Sequence, residues 1–152
     1  MNEISYERIH VARTNDTPVW AESVARSAGD AELFGSSAGA LERIPFEHVD
    51  PSQEDAVRGF VDATDFDRTR LLYVVAVGLG NTELTVGIDQ LGIHDDELVG
   101  SMAVENAEPG DSIDTYASVL VRASVDDEPP DRATIRIDSI HDRKTIAETT
   151  VE

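Results

Sequence analysis

Cysteine is absent from this sequence, which removes disulfides, thiolate metal sites and a thiol nucleophile together. No apolar run approaches the roughly 18 residues that a membrane-spanning helix requires, so membrane insertion is not expected. Aromatic residues make up only 5% of the chain, with a single tryptophan, Trp20. Core packing claims most of such a small set before any is left for a contact surface. Basic charge is scarce as well: 12 Lys and Arg stand against 31 Asp and Glu, a formal net charge of −19. Nucleic-acid binding needs a basic stripe, and the densest basic stretches here, Arg68–Arg70 and Arg143–Lys144, sit beside aspartates. Nucleic acid is therefore not an expected partner, and an anionic membrane surface would repel the chain for the same reason.

What is present is enough to fold. A chain of 152 residues buries roughly 70% of its unfolded surface. Leu, Ile, Val and Phe supply about a quarter of the residues, above the roughly 20% floor below which high charge implies disorder. A single domain over 1–152 is expected, with an irregular N-terminal part to residue 65 and a β-rich core over 66–152. Of the twelve cations eleven are arginine, Lys144 being the sole lysine, and the apolar residues are mainly small, with sixteen Ala and sixteen Val. Acid excess, lysine depletion and small apolar residues together resemble the proteins of halophilic archaea. The physics agrees, because at about 1 M salt the Debye length is only about 3 Å and self-repulsion is screened. A modest core also suffices where salt strengthens burial. Salt-dependent folding is expected, with counterions as surface partners. The opening Met1-Asn2-Glu3-Ile4-Ser5-Tyr6 lacks a charged segment followed by an apolar one. The expected location is the cytoplasm, or the cell surface if a leader has been removed. Asn15-Asp16-Thr17 fits a glycosylation acceptor and reads as a turn.

After residue 66, apolar segments of strand length alternate with turn signals, as in an all-β fold. Leu71-Leu72-Tyr73-Val74-Val75-Ala76-Val77 is continuously apolar and predicts a central strand covered on both faces. Gly78-Leu79-Gly80-Asn81-Thr82 reads as a hairpin turn. Leu84, Val86 and Ile88 alternate with polar or small neighbours, as in a half-buried strand. His94-Asp95-Asp96 marks a turn before a strand over 98–104, and Glu108-Pro109-Gly110-Asp111 marks another turn. Ala117, Val119, Val121, Ala123 and Val125 form one strand face. Beyond the break at Glu128-Pro129-Pro130-Asp131, Ala133, Ile135 and Ile137 alternate, and 145–151 supplies a last strand. An opening strand near Ile4–Val11 carries a bulge where its alternation slips. Asp50-Pro51-Ser52-Gln53 offers a cap, a first-turn proline and a capping-box glutamine before Ala56, Val57, Phe60 and Val61 on one helical face. Gly59 predicts that this helix is short. Trp20, Val24 and Ala28 suggest a second helix after Thr17-Pro18. The fold expected is mainly β: an antiparallel β-sandwich, or partly closed barrel, of about seven strands with one or two short helices.

One order of elements carries a resemblance. Asp65-Phe66-Asp67-Arg68, the apolar strand, the glycine-rich turn at 78–81, Thr115-Tyr116-Ala117-Ser118-Val119-Leu120-Val121-Arg122 and Pro130-Asp131-Arg132-Ala133 together resemble a family of uncharacterised haloarchaeal acidic β-domains. The same order is more distantly similar to the C-terminal domain of the protease-complex stability factor PrcB. The resemblance covers roughly residues 46 to 140 and includes no catalytic motif. It implies a β-rich fold and a binding role, on a protease or envelope complex.

Few residues suggest chemistry. His48, His94 and His141 each have a carboxylate close in sequence, and loop histidines with aspartates can hold zinc for hydrolysis. His94, Asp96, His141 and Asp142 are the candidate ligands of that alternative. Adjacent strand residues point to opposite faces, however, and one residue in five is acidic, so solvated or capping histidines are the simpler reading. Asp62, Asp65 and Asp67 offer too few oxygens for calcium. Gly35-Ser36-Ser37-Ala38-Gly39 matches the spacing of a nucleophile elbow, which also needs a strand before it, a helix after it and a parallel sheet. A flexible small-residue loop is expected there instead. Trp20 and Tyr116 are the candidate contact residues, since aromatic side chains dominate binding hot spots. No cofactor is expected. The function expected is a non-enzymatic binding module for an unidentified protein partner. The alternatives are the metal-assisted hydrolase and a structural subunit pairing through sheet edges.

Overall fold

The computed structural model describes residues 2–14, 29–44, 46, 49, 51–79, 85–105, 114–124, 128–138 and 144–151. In chain order its elements are β1 (Asn2–Glu3), β2 (Ser5–Thr14), β3 (Gly29–Phe34), α1 (Ser37–Arg43), α2 (Pro51–Asp62), β4 (Thr69–Leu79), β5 (Thr85–His94), β6 (Glu97–Glu105), β7 (Asp114–Ser124), β8 (Arg132–Asp138) and β9 (Lys144–Thr150). The strands form a five-stranded sheet, β1-β5-β6-β8-β9, and a four-stranded sheet, β2-β7-β4-β3. The expected sandwich is thus found, with two more strands than foreseen. Both short helices lie on the outer face of the four-stranded sheet, so the molecule has three layers.

The run from Leu71 to Ala76 is buried throughout, because β4 is an inner strand between β7 and β3 with a core on each face. Leu72, Val74 and Ala76 join Ala31, Leu33, Val119 and Val121 against Leu98, Met102, Ile135 and Ile137 of the facing sheet. Leu71 and Tyr73 turn the other way, to Phe34, Ala40, Val57, Val61 and Leu120 beneath the helices. Each fully buried Leu or Ile contributes roughly 1.5–3 kcal/mol relative to exposure, which is how a chain with few large apolar residues holds two cores.

Several local expectations are met in detail. Asp95 and Asp96 have φ of 51° and 63° and close the β5–β6 hairpin across the paired His94 and Glu97. Two central residues with positive φ make a type I′ turn, and aspartate tolerates that region. The bulge in the opening strand lies between His10 and Ala12, slightly beyond the expected place. Ile4 separates β1 from β2, so the chain changes sheets there.

Two expectations are corrected. The sandwich is not wholly antiparallel: β6 pairs with β8 in parallel register, Leu98 against Ala133 through Ala103 against Asp138. That follows because β7 lies in the other sheet, so β8 returns beside β6 running the same way. Gly35–Gly39 is not a flexible loop. Ser36 caps α1, its Oγ accepting from the Gly39 N–H at 3.1 Å, which satisfies one of the donors a helix start leaves open. The short helix expected after Asp50 is α2, which runs twelve residues through Gly59. A Cβ at Gly59 would meet nothing within 4 Å, so its cost is only the roughly 1 kcal/mol of backbone freedom. Gly59→Ala is accordingly expected to raise the unfolding free energy by about 0.5–1 kcal/mol in denaturant titration. The helix anticipated after Thr17 lies outside the described residues.

Gly29 is a different case. A Cβ there would sit 2.3 Å from the Val75 carbonyl oxygen and 3.1 Å from Ile137 Cγ2, where the two sheets approach each other. Because one obstacle is backbone, Gly29→Ala forces a strand to shift. It is expected to destabilise by about 1–3 kcal/mol, seen as an earlier midpoint in the same titration.

Candidate functional site

β3 and β9 are edge strands of different sheets, and they meet at the side of the sandwich. No backbone ladder joins them. The Leu33 N–H instead donates to Thr149 Oγ1 at 3.3 Å, and the Ala31 N–H to Asp30 Oδ1 at 2.8 Å. A barrel would close by pairing these strands directly; here side-chain oxygens occupy the outward donors of β3 and hold the seam open.

The seam holds a polar cleft of about 180 Å³ lined by Asp30, Glu32, Leu33, Phe34, Glu148 and Thr149 among others. Ala31 and Leu33 face the core while Asp30 and Glu32 stand on the outer side. Glu32 is drawn toward α1 by Arg43, whose Nε lies 2.9 Å from Oε2 and whose second guanidinium nitrogen also contacts the carboxylate. Glu148 is exposed. Gly35 lets the chain turn out of the seam: a Cβ there would lie 2.7 Å from Val151 Cγ1. The Val151 N–H donates to the Asp131 carbonyl oxygen at 2.8 Å, fixing the end of β9. Chemically, the cleft offers carboxylates and hydroxyls along two short stretches of strand, a lining suited to an extended, cationic segment.

The sequence alone did not single out these seam residues. A signal was present in the alternation of Ala31 and Leu33 with Asp30 and Glu32, masked by the glycine and serine that follow.

The residues expected from sequence fall elsewhere. His94 is exposed at the end of β5, its Nε2 3.3 Å from Asp95 Oδ2, and Asp96 is the second residue of the same turn. His141, Asp142, His48 and Trp20 lie outside the described residues. Tyr116 occupies a register position in β7 between Thr14 and Val77, and its side chain is also outside them. Among the described residues, no group of three His, Cys, Asp or Glu is placed to hold a metal ion. Asp65 has a local task, its Oδ1 accepting from the Asp67 N–H at 3.1 Å in the turn from α2 into β4. Ser37 does have a strand before it and a helix after it, but that strand is antiparallel to its neighbour. Nor does Ser37 have the positive φ that marks a strained elbow; among described non-glycine residues only Asp95 and Asp96 do.

No described helix is long and apolar enough to cross a membrane. No family model, curated protein or solved structure matches the chain.

Proposed function

We propose that this chain is a non-enzymatic interaction module of a halophilic archaeon, and that it takes a segment of a protein partner at the β3–β9 seam. The observation that carries the reading is the unladdered meeting of two sheet edges around a carboxylate-lined cleft. Such a place offers backbone acceptors for an extended chain and charge for its cationic side chains. The resemblance in element order to the PrcB C-terminal domain supports a protease or envelope complex as the setting. A composition rich in acids and almost without lysine supports the halophilic source.

The test is affinity capture from a haloarchaeal lysate at multimolar salt, with mass spectrometry of what co-elutes. One stoichiometric partner is expected with the wild type and its loss with Glu148→Lys, which reverses charge at the cleft. Capture that is indifferent to Glu148→Lys places the partner elsewhere, and an empty capture overturns the reading.

A further inference from the structure

The outer face of the five-stranded sheet contrasts with the rest of the molecule. Both described helices cover the other sheet, so this face carries exposed side chains, including Ile146, which is 66% exposed and the most exposed large apolar residue described. Opposite charges pair on it. Glu97 lies 3.9 Å from Arg132 and also accepts from Thr134 Oγ1. Arg136 lies 3.1 Å from Asp138, and Lys144 holds the register position beside Asp138, as Glu148 does beside Thr134. Two arginines of a protein whose net charge is −19 are thus paired with acids on this face, which by register also carries Glu3 and Glu105 at its margins.

The face is also divided by size. β6 presents Val99, Ser101 and Ala103, all small, while its neighbour β8 presents Thr134, Arg136 and Asp138 at the same levels. A twofold axis running along the strands between β6 and β8 would lay the small half of one copy on the bulky half of another. Ser101 would then face the partner copy's arginine at 136, Ala103 its aspartate at 138, and Glu97 its arginine at 132. No like charges would be opposed. We infer that this face is an isologous interface with a second copy of the same chain.

Four strands about 4.8 Å apart and four residue pairs deep give a face of about 500 Å² per copy. The total of about 1,000 Å² is near the lower limit for a specific interface, so the dimer is weak and reversible. Two copies at −19 repel each other in dilute buffer, and at about 1 M salt, where the Debye length is about 3 Å, that repulsion disappears. Salt therefore promotes association, the reverse of its effect on a complex held by opposite charges. This goes beyond the seam reading and does not depend on it: the two share β9, but Ser101 and Ala103 lie on β6 and do not line the cleft.

Sedimentation velocity over a concentration series in multimolar salt is the test, with circular dichroism confirming that each variant is folded. The wild type is expected to show a monomer–dimer equilibrium. Ser101→Arg, which opposes two arginines, is expected to weaken it at least tenfold, and Ala103→Glu, which opposes two acids, to do the same. Ala103→Lys, facing the partner's aspartate, should retain the dimer. A wild type that stays monomeric at about 100 μM overturns the inference. So does a dimer that tolerates Ser101→Arg and Ala103→Glu but is lost on Arg8→Pro in the edge strand β2, because that result assigns association to edge pairing.

Discussion

Arg122→Ala will lower the unfolding free energy by about 3 kcal/mol, a larger loss than most core truncations by a single methyl group. The side chain rises from β7 into the gap beneath the end of α2. Its Nη2 donates to the Phe60 carbonyl oxygen at 2.6 Å and its Nε to Thr64 Oγ1 at 3.1 Å, while the guanidinium lies 4.1 Å from the centre of the Phe60 ring. Helix ends leave carbonyls without partners, and here one arginine answers the last turn and ties it to the sheet. Deleting it removes two charge-assisted hydrogen bonds and the ring contact, leaving the Phe60 carbonyl with only the Thr64 hydroxyl, 2.9 Å away. By contrast Glu7, 2.9 Å away but 71% exposed, adds little. Arg122→Lys is expected to lose most of the same stability, because an ammonium cannot present the planar fork to two acceptors while stacking on a ring. For a chain of this size about 3 kcal/mol corresponds to roughly 10 °C in Tm, measurable by thermal melts at fixed salt.

The second large effect follows from the proposed halophilic source. Moving the protein from multimolar salt to dilute buffer is expected to abolish cooperative thermal unfolding and near-ultraviolet dichroism. The reason is electrostatic. Acids outnumber bases by nineteen, and the described ion pairs are mostly exposed, so few of those charges are neutralised locally. Repulsion that is negligible at a Debye length of about 3 Å is felt across the molecule at about 30 Å in 0.01 M salt. Sulfate should restore the fold at a lower concentration than chloride, because it also strengthens apolar burial. An unchanged melting curve without added salt would remove the electrostatic argument for a halophilic source.

Legibility in the sequence tracked how local each determinant was. β4 was readable because seven consecutive apolar residues leave no other use for the segment. The β5–β6 hairpin was readable because Asp95 and Asp96 bring their own turn chemistry. α2 announced itself through Asp50, Pro51 and Gln53, with Gly59 marking it as short. The parallel pairing of β6 with β8 was not readable, since it depends on where β7 goes. Nor was α1: Ser36 and Ser37 between glycines suit a loop as well as a cap, and only the burial of Ala40 and Ile44 under the sheet decides between them. The seam was the least legible of all. Leu33 and Thr149 are 116 residues apart, and neither segment alone shows that the other will lie beside it.

The return of β8 beside β6 also governs how the molecule opens. β5 and β6 belong to one sheet, β7 to the other, and β8 to the first again, so the chain laces the two layers together. Neither sheet can peel away as a hairpin-by-hairpin unit, because freeing β8 from β6 leaves β7 anchored between β2 and β4. In native-state hydrogen exchange, the amides of β4, β6, β7 and β8 should therefore share one opening free energy close to that of global unfolding. Exchange at lower cost belongs to the strands with a single neighbour, β1, β2, β3 and β9.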